Sequence, residues 1–458
     1  MSKKLFSEFE AVSESTWKQK IQVDLKGADY NETLLSKTAS GLHIKPIYHK
    51  DSAPEIQIPC RATEHWYISQ RIVVTDANKA NQTAHDVLNR GAEGVQFELN
   101  NSSIDVKSLF NGLPEYGIQV HLNFMDVDFI KSIHKEKPKA YIHLDPIHHL
   151  CTTGNWFNNL KADLSGHQVL LSDIAGYSFN ITVNTSSYQH AGAHVVQELG
   201  YYAAHLNEYL NTLNESDSLE YFFNQDPVKR INVDLAVGAN YFEEIAKIQA
   251  YRVITKSLGE VYGIENLSCY ITTTPSIRNK SIKDYNVNML RTTTECMSAI
   301  LGGADTVTNI SYDSFFNNEN EFGSRISRNQ LRILKDEAYF DKVQNPTKGA
   351  YFIDSLTEEI THKALDLFKS IESSGGLLNQ LFEGTIQRKI KESHQKEMDQ
   401  VHKGERILVG VNKYENLEEQ LPKQFDKNPL GQRQVRKTLI QPIIAKRISM
   451  DHEKKVIK

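Results

Sequence analysis

The sequence predicts an α/β chain built as a (β/α)8 TIM barrel, preceded by an N-terminal arm and followed by a helical C-terminal extension. Three observations carry this. Eight short strand-like runs alternate with helical segments between Ile68 and Ile310, roughly 240 residues, the number and span such a barrel needs. The runs alternate polar and apolar residues instead of reading as continuous apolar stretches. Neither G-x-G-x-x-G nor G-x-x-x-x-G-K occurs, so the competing doubly wound open sheet has no phosphate loop here.

Three regions follow, with boundaries at 1–60, 61–400 and 401–458. In the arm, Trp17, Ile21 and Leu25 recur every four residues, one face of a helix that Gly27 stops. That stripe is expected to be buried, against the barrel or against another subunit. Residues 38–54 read as extended and turn-rich. The predicted strands are 68–75, 95–99, 118–123, 141–144, 179–184, 231–235, 268–273 and 306–310. Helices are expected over 81–89, 191–210, 241–258 and 287–301, with Gly91 and Gly302-Gly303 placed where helices end on a left-handed residue. Beyond residue 320 the chain turns helical and charged, over 327–337, 355–372 and 387–403. One short strand, 407–411, and a linker-like stretch from Asn416 to Gly431 come next. The last 28 residues carry eight Lys/Arg against two acids. Leu439, Ile443 and Ile444 interleave them, which suits a solvated or interface-draped tail better than a nucleic-acid arm.

The alternation assigns faces. Apolar positions must meet the helices, so the polar ones point down the barrel axis. These are Gln96 and Glu98, Gln119 and His121, Tyr141 and His143, Thr182 and Asn184, and Asn232 and Asp234. A polar lumen departs from the usual packed Val/Ile/Leu layers. Either something polar threads the axis, or the side chains satisfy one another. The bulk of Gln96, Glu98, Gln119, His121, Tyr141 and His143 favours a plugged barrel.

Composition excludes several classes. Of 458 residues, 40% are hydrophobic and 24% charged, which describes a globular chain and not a disordered one. A net charge of -5 argues against nucleic acid as a partner. No apolar run approaches the roughly 18 residues of a membrane span. The two lysines after Met1 have no apolar core behind them, so no signal peptide is expected and the cytoplasm is the expected location. Four scattered cysteines, Cys60, Cys151, Cys269 and Cys296, form no CxxC pair. Asp145-Pro-Ile-His148-His149 sits where barrel active sites lie, but its spacing is weak for metal, and no metal site is expected. The basic run from Lys131 to Lys139 reads as a solvated helix end, with phosphate docking as its alternative. Arg291-Thr-Thr-Thr294 heads a helix, where an anion site and simple capping fit equally well.

Seven segments, in order, resemble the methylmalonyl-CoA mutase family of acyl-CoA mutases. Thr38-Ala-Ser-Gly41-Leu-His-Ile-Lys45-Pro46-Ile-Tyr48 is similar to the family's T-x-x-G-I-x-V-K-P-L-Y. Ala239-Asn-Tyr-Phe242-Glu243-Glu244-Ile-Ala-Lys247 is similar to F-F-E-E-I-A-K. Asn286-Val-Asn-Met-Leu-Arg291-Thr292 through Gly303 resembles N-N-V-x-R-T…L-G-G. Ser324-Arg325-Ile-Ser-Arg328-Asn329, Asn345-Pro-x-x-Gly349-x-Tyr351, Ser373-Ser-Gly375-Gly376 and Val409-Gly-Val-Asn412-Lys-Tyr414 complete the set.

The resemblance implies a barrel that carries acyl-CoA, followed by a cobalamin-binding domain. It also implies radical interconversion of succinyl-CoA and methylmalonyl-CoA on adenosylcobalamin. Three departures qualify that. The D-x-H-x-x-G motif that supplies cobalamin's lower ligand is absent, since Asp451-His452 lacks the spacing, so no cobalamin-binding domain is expected. Where catalytic chains read W-x-I-x-Q-Y, the run Trp66-Tyr67-Ile68-Ser69-Gln70 is followed by Arg71. Where they read G-Y-H-M-Q-E-A-G-A, alignment on Ala191-Gly192-Ala193 puts Ser187 at the histidine that bonds the thioester carbonyl. Gln189 is retained and His190 replaces the glutamate. The resemblance therefore implies a small, non-catalytic subunit of a heterodimeric mutase. No catalytic residue and no bound cofactor are expected here, with adenosylcobalamin and the chemistry in a large partner subunit. The Trp17–Leu25 stripe and the tail are the candidate interface. The alternative is a competent barrel that borrows a cobalamin domain from a separate chain.

Overall fold

Alternating β-branched and polar residues favour extended backbone with one face against helices, and the eight barrel strands form at those runs. The structure is a computed structural model describing residues 7–61, 63–174, 178–216, 219–225, 229–416, 418, 421, 424–431, 436–455 and 457. The strands are β1 (Tyr67–Val74), β2 (Gly94–Leu99), β3 (Ile118–Leu122) and β4 (Tyr141–His143), then β5 (Thr182–Asn184), β6 (Arg230–Val237), β7 (Ser268–Pro275) and β8 (Thr306–Thr308). All neighbours pair in parallel, in the order β4-β3-β2-β1-β8-β7-β6-β5. Among the described residues, β4 and the segment leading into β5 meet through an isolated bridge, Ile142 to Phe179. The result is a nearly closed (β/α)8 barrel.

Register fixes the faces. Gln96 lies opposite Arg71 and Gln119, His121 opposite Glu98 and His143, and Asn184 opposite Asp234. The intervening Val95, Phe97, Val120, Ile142, Val233 and Ile271 are fully buried in one continuous core beneath the helices. The helix Val287–Gly302 ends on Gly303 at φ 91°, a left-handed conformation that suits glycine. The long helix Tyr351–Ser373 packs on Val195–Glu215 and Tyr241–Val261, covering the barrel's own helices.

Several expectations need correcting. The helix expected over 191–210 is two helices, Ser186–Ala191 and Val195–Glu215. Gly192 at φ 110° ends the first, and His194 caps the second in a reciprocal box with Gln197. A Cβ on Gly192 would lie 2.8 Å from that of His394, so the break also admits a close neighbour. The strand expected over 407–411 is a tight turn, in which Asn412 accepts from the Leu408 N–H at 2.7 Å while Gly410 takes φ 77°. The region 327–337 holds the helix Glu321–Arg332 and a π turn, Ile333–Glu337. The arm helix forms as Glu14–Asp24, yet none of its residues is buried, and Trp17, Ile21 and Leu25 are half-covered.

The basic tail is strapped down. Arg447 pairs with Glu453 and donates to the carbonyls of Lys280 and Pro429. Ile443 donates to the Cys151 carbonyl at 2.7 Å, and Ile448 to that of Arg278 at 2.8 Å. The linker-like stretch and the first six residues lie partly or wholly outside the described residues.

Candidate functional site

The polar stripe converges on the axis in two clusters. At the N-terminal mouth, Tyr141 and Tyr270 stack with ring centres 5.0 Å apart. The Arg230 guanidinium lies 5.1 Å and 5.5 Å from those two centres. The Tyr270 and Thr306 hydroxyls meet at 2.6 Å. Gln119 reaches across from β3 to put its amide nitrogen 3.4 Å from the Thr272 and Thr306 hydroxyls. A cavity of about 290 Å³ remains outside this plug.

The C-terminal mouth is built from histidines and carboxylates. The His121 and His143 rings stack 4.1 Å apart. Their Nδ1 atoms lie 3.5 Å and 3.1 Å from the Asp234 carboxylate, which crosses over from β6. Gln96 lies 2.6 Å from the His121 Nε2. Arg71 donates to Glu98 at 2.7 Å, and Asn123 donates to the same carboxylate at 3.1 Å. In the strand layer between the two mouths, Asn232 donates to Thr182 at 3.5 Å. A cavity of about 240 Å³ opens here, lined by His121, His143, Asp145, His148, Asn184 and Asp234 among others. Its lining shares no residue with that of the opposite cavity.

Asp145 holds this mouth together. It caps the helix Pro146–Thr153 by accepting from the His148 N–H at 2.8 Å, and it accepts from the Asn184 N–H at 2.7 Å. From behind, Tyr209 donates at 2.7 Å and His205 at 3.1 Å. Burial pushes its carboxyl up, but His205, His148 and the Asn184 N–H together pull it down to about 2. Burial, helped by His143, drives His121 down to about 3. The Asp234 carboxyl is lowered, because His143 and His121 outweigh the effect of burial.

The positions singled out by resemblance fall apart in space. Arg71 engages Glu98 at the rim. Ser187 is buried with its hydroxyl 3.4 Å from His148. Gln189 turns away from the lumen and accepts from Ser276 at 2.7 Å, beside a groove that runs under the arm at Thr38–Ser40. His205 and Tyr209 escaped the sequence reading. They sit four apart on a buried helix face, and that spacing opposite a strand-end aspartate was the available signal.

Residues 130–456 match the methylmalonyl-CoA mutase family. The chain belongs to that family. It is 31% identical to the methylmalonyl-CoA mutase small subunit of Porphyromonas gingivalis, over 91% of this chain and 72% of that one. It is 26% identical to the small subunit of Streptomyces virginiae, over 86% of this chain and 68% of that one. With the methylmalonyl-CoA mutase of Cereibacter sphaeroides it shares 27% identity, over 87% of this chain and 64% of that one. The chain thus spans roughly two thirds of the length of the curated mutases it matches. No helix among the described residues is long and apolar enough to cross a membrane.

Proposed function

We propose that this mutase-family chain is the small, non-catalytic subunit of a heterodimeric adenosylcobalamin-dependent methylmalonyl-CoA mutase. In this reading it supports, and does not perform, the interconversion of succinyl-CoA and methylmalonyl-CoA. The observation that carries the reading is the filled lumen. Side chains from non-adjacent strands meet across the axis at both mouths, through Gln119 with Thr272 and Thr306, Tyr141 with Tyr270, and His143 with Asp234. A pantetheine arm passing along the axis would have to displace them, and each would leave a buried polar group unpaired.

The family positions support the same reading. The Arg71 charge is spent on Glu98, and the Ser187 hydroxyl offers a thioester carbonyl no imidazole. The C-terminal mouth cavity does not fit adenosylcobalamin. The 240 Å³ mouth cavity is smaller than the ~300–1,000 Å³ pockets that enclose drug-sized ligands, and a corrin exceeds those. The cofactor is therefore assigned to the large partner subunit. The half-covered Trp17–Leu25 stripe is the first candidate for the subunit contact, and the cytoplasm is the proposed location.

Turnover of methylmalonyl-CoA with adenosylcobalamin tests this, using the chain alone, the large subunit alone, and both together. The expected result is no turnover by the lone chain and full activity in the pair. Turnover by the lone chain, or with only a free cobalamin-binding chain added, overturns the reading.

A further inference from the structure

We propose that His121, His143 and Asp234 form a binding site for a zinc-class divalent cation at the C-terminal mouth of the barrel. The three side chains come from β3, β4 and β6, and their ligand-type atoms all lie within 4.8 Å of one another. The two Nδ1 atoms stand 3.1 Å and 3.5 Å from one carboxylate oxygen, Asp234 Oδ2. Metal–ligand bonds of about 2.1 Å set neighbouring ligand atoms of a tetrahedron about 3.4 Å apart, so the two histidine–carboxylate edges already match. Two imidazoles and one carboxylate select zinc or a late first-row cation over magnesium or calcium, which want oxygen ligands throughout.

A second observation points to a ligand independently. Asp234 Oδ1 and His143 Nε2 are buried and have no hydrogen-bond partner. Unpaired buried polar atoms are costly. A cation held by both carboxylate oxygens would satisfy the first of them. The surroundings fit as well. Gln96 lies against the outer nitrogen of His121 at 2.6 Å, the outer-shell contact that orients a metal-bound imidazole. Arg71, opposite Gln96 on the neighbouring strand, is paired with Glu98. The 240 Å³ cavity lies on the open side, leaving a fourth position for water or a small anion.

The test uses the full chain, stripped with chelator and titrated with Co2+ and then Zn2+. One equivalent of Co2+ should give visible d–d bands that Zn2+ abolishes, and Zn2+ should raise the melting temperature. H143Q and D234N should each weaken binding by at least about 100-fold, and Q96L by about 10-fold. Absence of a stoichiometric band, or undiminished affinity in folded H143Q, overturns the proposal. If those variants do not fold, anomalous scattering from zinc-soaked crystals of the unmodified chain decides. A peak among the three ligands supports the site, and a peak elsewhere or none refutes it. Neither outcome bears on turnover, so the subunit reading fails or survives separately.

Discussion

The two mouths of the barrel are closed by different chemistry. The N-terminal plug is two stacked tyrosines under a guanidinium, joined to a glutamine and threonines. Burial pushes the Tyr270 hydroxyl well above its ordinary range. The C-terminal plug is two histidines on an aspartate, with a second aspartate clamped by His205 and Tyr209 behind it. It stands where barrel enzymes place their catalytic loops. One period-2 polar stripe thus supplies a chemically inert stopper at one end and a titratable cluster at the other. Chemistry-bearing side chains gather at the end where barrel enzymes act, while side chains fill the axis between the mouths.

The sharpest way to break this contrast is D145A. It leaves His205 and Tyr209 buried without their acceptor, and removing one partner of a buried pair costs about 3–5 kcal/mol. Urea unfolding should show a loss of that size. Acid should come next. Burial holds His167 at about 4, against the pull of Asp145, and holds His190 at about 3. Both folded values lie below the ordinary ~6.5 of an unfolded histidine. The unfolded chain therefore binds protons first, and stability falls as pH drops from about 6.5 toward those folded values. Each such group contributes a slope of about 1.4 kcal/mol per pH unit, and H167Q should remove one group's share in a urea series between pH 6.5 and 4.5.

At the inert end, Y270F deletes the hydroxyl contact with Thr306 and should cost about 1 kcal/mol, with no change in that acid slope. The smallest effect should come from R71A. Its pair with Glu98 is half exposed at the rim, so thermal melts should move by the equivalent of about 0.5 kcal/mol or less.

Much of the fold was legible because period 2 is a strong signal. Val95-Gln96-Phe97-Glu98-Leu99 can be laid only one way against helices, and the same holds for Ile118 to Leu122. Lengths were less legible. Phe179 makes a single bridge to Ile142, so β5 shrinks to Thr182–Asn184. The apparent strand before Asn412 is apolar in sequence, but the amide of Asn412 competes for its backbone and bends it. The candidate site was half legible. Strand patterning put His121, His143 and Asp234 on the inner face, but nothing in it says that β3, β4 and β6 bring them to one height. That depends on the stagger of the strands around the barrel. His205 and Tyr209 were hidden for the opposite reason. They lie on the buried face of Val195–Glu215, and only the fold turns that face toward Asp145.

The seam between β4 and β5 has a mechanical consequence. β6 and β7 are laced through eight register pairs, from Arg230–Ser268 to Val237–Pro275, whereas among the described residues β4 and the segment leading into β5 meet at the bridge Ile142–Phe179. A cylinder with one weak stave joint opens there first. Amide protons of Tyr141–His143 and Thr182–Asn184 should trade for deuterium well ahead of those of Arg230–Val237. Of the side chains flanking that joint, Tyr141 belongs to one plug and His143 to the other, so each opening of the seam would briefly unstop the barrel.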